Sequence, residues 1–362
     1  VSAVQILSAI VIGLASDHAW SMAAGLLSTG KVTVAAVVDD GDHLRARACD
    51  TFGPVPAYRC LAQVPDDARF DVALVCSDNR AKAEVVPWCV ARGSHVYMDK
   101  PLAATGTGAQ AVAEAVARSA DAGTRVMVAF HTVFDGVHDE ARQLVADGAL
   151  GRVYLARGVA GHGGLREGGV SDDFVDWLVD PARGGGGTFI DQACYLLDTF
   201  MDQLGDTIVE VDGTAVNLGE RDYLPASVED VSLATLRFAG GAVGVVDTKW
   251  HQVGPSPLRL SYHGTGGTLI DVGGRWELHT AAGVVPPLDW QRTTERDGVV
   301  SYTRATPPKD GYAGEAGYFV DRVLSGEPFH PALTVSAALR VQRVIDAFYA
   351  SVRTGTRVAV AG

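Results

Sequence analysis

Residues 184–200 read GGGGTFIDQACYLLDTF: four glycines, then an apolar run that carries Asp191, Tyr195 and Asp198 at spacings of four and three. On an α-helix those spacings stack the three side chains on one face. Carboxylates and a phenol hold or move protons, so a column of them on an otherwise apolar helix is a candidate acid–base site. A structural reading stands beside it, in which Asp191 complements the positive end of the helix, Tyr195 is a core aromatic and Asp198 binds a backbone or cationic partner. A second stretch, VYMDKPLA at 96–103, ends an apolar strand on Asp99, Lys100 and Pro101. In an open α/β sheet, a lysine at that end enters the crevice where ligands bind.

Two kinds of text must position these residues. Up to residue 128, apolar strand-like runs (AIVIGL, VTVAAVVD, VALVCS, HVYMDK, RVMVAF) alternate with Ala-rich helical stretches. Continuous apolar strands separated by helices predict a parallel sheet covered on both faces, a doubly wound α/β Rossmann domain over 1–128. From 129 to 362 the text changes to a helix followed by long alternating segments, among them RVYLARGVAG, TIVEVDGTAVNL, DVSLATLRF, AVGVVDTKW, LRLSYH and GTLIDVG. Glycine pairs in FAGGAV and HGTGGTL sit where tight hairpins need positive φ. The second domain is therefore expected to be α+β, with a large, mainly antiparallel open sheet beside the helix at 189–204. A C-terminal helix, VSAALRVQRVIDAFYASVRTG, follows.

Composition narrows the partners. The chain has 362 residues and a formal charge of −13, which argues against nucleic acid or an anionic membrane, since both need a basic face. Five cysteines without a CxxC pair predict reduced thiols and a cytoplasmic protein. The opening run VSAVQILSAIVIGLA lacks a basic flank and reads as a first buried strand rather than a signal-peptide core. His131 and His138 are not spaced as a ligand pair on one helix, and no catalytic metal is expected.

A dinucleotide needs a glycine-rich turn after the first strand, so that backbone N–H groups meet the pyrophosphate. Here GLASDHAWSMAAG keeps Gly13 but places Ala15 and His18 where the other glycines would stand. Ala15 still allows close approach; His18 either donates to a phosphate or the nicotinamide side, or caps and packs. At the end of the second strand Asp39 is the acidic residue that accepts from the adenosine ribose and favours NAD, or else Asp39 and Asp40 form a polar turn. Arg45 and Arg47 follow closely and leave NADP open.

Taken together, VYMDKPLA and GGGGTFIDQACYLLD resemble the glucose-fructose oxidoreductase, inositol dehydrogenase and rhizopine-catabolism (Gfo/Idh/MocA) family of NAD(P)-dependent sugar and cyclitol dehydrogenases. Its members carry Glu-Lys-Pro at the first motif and a glycine run leading to Asp-x-x-x-His or Asp-x-x-x-Tyr at the second. The resemblance spans essentially the whole chain, including SDN at 77–79, the 134–153 crossover and WLVDPARGGGG. The chain departs from the family in having Asp99 for Glu, Tyr195 where many members have His, a glycine-poor fingerprint, and Leu178 after Trp177 where many have Arg.

The resemblance implies a catalytic set of Lys100, Asp191 and Tyr195. Tyr195 exchanges the hydroxyl proton, Lys100 assists it, and Asp191 holds the lysine or the substrate hydroxyl. NAD would be bound through Gly13, Leu14, Ala15, His18, Asp39, Ser77, Asn79, Asp99, Lys100 and Trp177. His131 and His162 join Lys100, Asp191 and Tyr195 as substrate-binding candidates, with Arg166 on the same loop as His162; each loop residue also reads as surface or linker. Trp177 and Trp250 either stack on a sugar or nicotinamide or are core. Asp198 stays structural. The expected activity is oxidation of a polyol or sugar by a homodimer or homotetramer. Two alternatives are a transient redox cycle in glycoside cleavage or epimerisation, and a non-catalytic dinucleotide sensor.

Overall fold

A computed structural model describes residues 5–254, 259–281, 286, 289–306 and 311–362. Residues 1–4 of the opening run, and Leu258 of the expected strand LRLSYH, lie outside the described residues. The chain divides into two compact units, one made of Val1–His131, Gly169–Gly186 and Asp310–Gln342, the other of Thr132–Gly168, Gly187–Lys309 and Arg343–Gly362.

The first unit is built on β1 (Leu7–Ile12), α1 (Asp17–Ser28), β2 (Val32–Val38), α2 (Asp42–Phe52), β3 (Ala57–Tyr58), β4 (Val72–Val75), α3 (Lys82–Ala91), β5 (His95–Asp99), α4 (Gly106–Ser119) and β6 (Val126–Ala129). Its six strands are all parallel in the order β3-β2-β1-β4-β5-β6, the doubly wound dinucleotide-binding arrangement. β4 and β6 are buried at every position, as the unbroken apolar runs require of strands covered on both faces.

In the second unit, α5 (His138–Ala146) precedes β7 (Val153–Gly161). The chain then contributes α6 (Asp172–Leu178) to the first unit before returning with α7 (Cys194–Leu204). Strands β8 (Ile208–Val216), β9 (Val231–Phe238), β10 (Val243–Lys249), β11 (Arg259–Gly264), β12 (Gly267–Asp271), β13 (Arg275–Ala281), β14 (Gln291–Arg296) and β15 (Val299–Ala305) follow. α8 (Gly311–Ser325) lies in the first unit, the division between units falls inside α9 (Val335–Thr354), and β16 (Val358–Ala359) closes the chain. The ten-stranded sheet runs β14-β15-β13-β12-β11-β7-β10-β9-β8-β16, antiparallel throughout except for the β7–β10 pair. β9 alternates buried and exposed residues, so one face is core and Leu233, 49% exposed, stands on the other.

Two expectations change in detail. FAGGAV makes the expected hairpin, with Gly241 at φ +90° between β9 and β10. The Gly266–Gly267 pair of HGTGGTL joins β11 to β12 in the expected hairpin but without positive φ, and Gly267 is there for space, because a Cβ on it would lie 2.7 Å from the His279 carbonyl oxygen. The helix expected over 189–204 also opens differently: Phe189–Ala193 is a π-helical turn, and only Cys194–Leu204 is α-helical. Asp191 therefore sits in a wider turn than the regular spacing assumed.

Candidate active site

The glycine-poor turn works through a single glycine. Gly13 has φ +87°, and a Cβ there would lie 2.3 Å from the Ser77 nitrogen, so the β1 and β4 ends close on each other only if this residue is glycine. Asp39, at the end of β2, accepts from the Leu14 N–H (2.6 Å) and the Gly41 N–H (2.8 Å). Burial pushes its carboxyl up, against the pull of the Gly41, Leu14 and Ala15 amides. Ser16, not His18, caps α1, and the His18 ring instead places Nδ1 2.8 Å from Asp99 Oδ2, edge-on to Phe174. Burial alone would raise the Asp99 carboxyl, but His18, Lys82 and Lys100 hold it well below the usual carboxylate range.

Lys100 follows β5, only 4% exposed, and the bond to Pro101 is cis. The backbone beneath it is held by Lys82, the first residue of α3 and itself 1% exposed. Its ammonium donates to the carbonyl oxygens of Asp99 (2.9 Å), Lys100 (3.0 Å) and Pro101 (2.9 Å) and to Asn79 Oδ1 (3.0 Å). Asn79, an expected cofactor contact, is committed inside the protein: Nδ2 donates to the Gly184 carbonyl at 2.9 Å, and its own carbonyl accepts from Ala104. Gly185 passes so close that a Cβ would lie 2.5 Å from the Ala104 carbonyl oxygen. Gly185 thus serves backbone packing against the segment that follows Lys100, while Gly184 is crowded by the end of α6, where a Cβ would lie 2.1 Å from the Leu178 carbonyl oxygen.

In the second unit, Glu229 does the corresponding work with the opposite charge. Its carboxylate accepts from the N–H groups of Gly187 and Phe189, both at 3.0 Å, and from the Tyr349 hydroxyl at 2.8 Å. The Tyr349 oxygen in turn accepts from Gly187 (3.2 Å) and Ile190 (3.4 Å). These acceptors meet the amides that a helix start leaves without intrahelical partners. Burial pushes Glu229 up, against those donors. Phe189 stacks on Phe348 with ring centroids 3.5 Å apart, which anchors the turn to α9.

Asp191 leaves that turn with Oδ2 accepting from Trp250 Nε1 (3.1 Å) and Gln192 Nε2 (2.7 Å). Tyr195, one turn on, is 7% exposed, and Asp198 is 2% exposed. Trp250 is core in position, at 1% exposure, yet it orients a candidate acid. His162 lies over it with centroids 6.5 Å apart, and its Nδ1 meets the Gly164 carbonyl. His138 pairs with Asp202 at 2.9 Å, His131 starts a short 3-10 turn, and the Arg166 guanidinium lies over the Tyr223 ring.

The first unit fits a dinucleotide. It offers the Gly13 turn, the Asp39 carboxylate and two buried polar atoms, Ser77 Oγ and Trp177 Nε1, that find no partner among the described residues. Trp177 stacks on Phe174. Sequence reading missed Lys82, Glu229 and Glu315, the last buried and accepting from the Tyr97 hydroxyl at 2.6 Å. The one available signal was a lysine at the start of α3, where the helix dipole disfavours positive charge.

Comparison with known proteins agrees with this architecture. Residues 7–130 match the model of an oxidoreductase family with an NAD-binding Rossmann fold, and residues 138–270 match the GFO/IDH/MocA C-terminal domain. The chain is 29% identical to D-xylose 1-dehydrogenase (NADP(+)) 2 of Haloferax volcanii, over 90% of this chain and 91% of that protein. It is 24% identical to myo-inositol 2-dehydrogenase of Thermotoga maritima, over 79% of each. A solved structure of levoglucosan dehydrogenase with NADH and levoglucosan shares the fold at a TM-score of 0.81 and 21% identity, covering 99% of this chain and 100% of that one. The chain therefore belongs to the GFO/IDH/MocA family and is an oxidoreductase with an NAD-binding Rossmann domain.

Proposed function

We propose that the protein transfers hydride between NAD and a secondary hydroxyl or keto carbon of a sugar, cyclitol or related polyol. The observation that carries this reading is the oriented, buried Asp191 one turn before the buried Tyr195. Oxidising an alcohol needs a group that takes the hydroxyl proton, and Tyr195 is assigned that role. The Lys100 ammonium assists by favouring the phenolate, and Asp191 orients the substrate hydroxyl or the lysine. His131 and His162 are assigned to substrate binding. When bound, the nicotinamide ring supplies or accepts the hydride. Gly13, Leu14, Ala15, His18, Asp39, Ser77, Asp99, Lys100 and Trp177 are assigned to hold that cofactor, and Asn79, whose side chain is committed to Gly184 and Lys82, is assigned to shape the site from behind.

The cofactor function is assigned to residues 1–128, joined by Trp177 from the 169–186 segment of the first unit, and substrate binding with assembly to the rest of 129–362. Asp39 supports NAD, although one relative is named for NADP(+). The open face of the large sheet carries exposed Leu233 and Val243 and a cavity of about 380 Å³ between Arg157, Asp247, Arg259 and Asp271, which supports a homodimer or homotetramer. Among the described residues no helix is long and apolar enough to cross a membrane, and the cysteines are free; both support a cytoplasmic assignment.

The test is nicotinamide fluorescence titration with NADH and NADPH, followed by turnover of myo-inositol, D-xylose and levoglucosan. Tyr195→Phe is expected to lower kcat by about 10²–10⁴-fold while NADH binding holds. Unchanged turnover in that variant would remove Tyr195 from the chemistry.

A further inference from the structure

Lys82 is placed against two ordinary preferences. A lysine in the first turn of a helix opposes the dipole, and an ammonium 1% exposed has lost its water. Sequences keep such a residue where something else compensates. The compensation here is specific: three consecutive carbonyl oxygens, those of Asp99, Lys100 and Pro101, turn inward to one nitrogen, with Asn79 Oδ1 as the fourth acceptor. Four acceptors around three N–H bonds leave the ammonium fully used and fix the direction of each carbonyl. The same Asn79 ties the assembly to Gly184, and its main chain holds Ala104. The segment from Asp99 to Ala104 is thus clamped at one end by the Lys82 ammonium and at the other by the main chain of Asn79, whose side chain also binds that ammonium.

We propose that Lys82 is a positioning residue for Lys100: it fixes the backbone from which Lys100 projects, and so sets where the Lys100 ammonium stands during hydride transfer. The inference rests on the proposed role of Lys100. Lys82 itself touches neither substrate nor cofactor in this assignment. Neutral side chains of similar length cannot replace it, because they leave inward carbonyls without donors.

Lys82→Met and Lys82→Gln in the full chain test this with two readouts. Hydrogen exchange followed by mass spectrometry should show the amides of residues 99–104 opening roughly tenfold faster, with β1 and α1 unchanged. On whichever of myo-inositol, D-xylose or levoglucosan the wild type oxidises, kcat should fall about 10²-fold in the Met variant and less in the Gln variant. The Kd for NADH should rise by much less than kcat falls, because Asp99 and Lys100 are only part of the assigned cofactor site. A lower Tm with unchanged exchange in 99–104 and unchanged kcat below the transition would overturn the proposal. So would a kcat loss matched by an equal loss of NADH affinity. If Lys82→Met does not fold, Lys82→Gln carries the same readouts. Failure of the wild type to bind NADH would sink the oxidoreductase mechanism, and loop exchange would still decide whether Lys82 holds its segment.

Discussion

Lys82 and Glu229 solve the same problem with opposite charges. In the first unit a buried ammonium gathers carbonyl oxygens where β5 ends, and in the second a buried carboxylate gathers N–H groups where a helix begins. The chemistry of each anchor matches what the backbone leaves over, since carbonyls lack donors after a strand and amides lack acceptors at a helix start. In both units the candidate active residue is next to the anchored backbone and not the anchor itself: Lys100 in one, Asp191 and Tyr195 in the other. A rigid site here depends on charges that do no chemistry.

The strongest way to break the comparison is Glu229→Ala, which strips the Gly187 and Phe189 amides and the Tyr349 hydroxyl of a shared acceptor. At about 1–3 kcal/mol for each buried group left unpaired, partly relaxed, a loss of roughly 3–5 kcal/mol is expected in urea unfolding. Glu229→Gln, which turns an NH₂ toward the Gly187 N–H, should fall between the two. A Gln variant as stable as wild type would mean that shape, not charge, is the anchor.

Glu315 sharpens the comparison, because it is a buried carboxylate with a single neutral donor in place of an array of amides. Burial pushes it up to about 7, with Tyr97 pulling the other way and Asp99 adding to the rise. Its folded value lies above its ordinary 4.5, so the folded state holds the proton longer. Its contribution to stability is then fully present below about 4.5 and lost as pH rises through about 7. Glu315→Gln should flatten that part of the stability profile by roughly 2 kcal/mol, measured as Tm between pH 5 and pH 8. Asp99, held low, contributes in the opposite sense and only at acid pH. An unchanged profile would show that Glu315 is ionised throughout.

The smallest effect is the control. Lys31 and Asp321 meet at 2.7 Å with side chains 37% and 66% exposed, and a double-mutant cycle there should give less than about 0.5 kcal/mol. A larger coupling would undo the distinction between buried anchors and surface pairs.

Much of this molecule was legible because its signals are local. Unbroken apolar runs mean two covered faces, so β4 and β6 and the parallel sheet followed from composition alone. Gly13 and Asp39 were readable because a turn needing positive φ and an acid at a strand end are demands of neighbouring backbone. Gly241 was readable for the same reason, whereas the Gly266–Gly267 pair turns the chain without the positive φ expected of it, and the His279 carbonyl that crowds Gly267 comes from the next strand and leaves no local mark. The π-helical turn at Phe189 was hidden in a sequence that suits an α-helix equally well.

By itself, then, the sequence determined the strands, the glycine turn and the residue types able to move a proton, because periodicity and backbone geometry are written over a few neighbouring positions. Only the tertiary structure decided which charges hold those residues in place. Lys82 reaches Pro101 across 19 positions and Glu229 reaches Gly187 across 42, and a main-chain carbonyl or amide leaves no mark in the sequence to show which distant side chain will satisfy it.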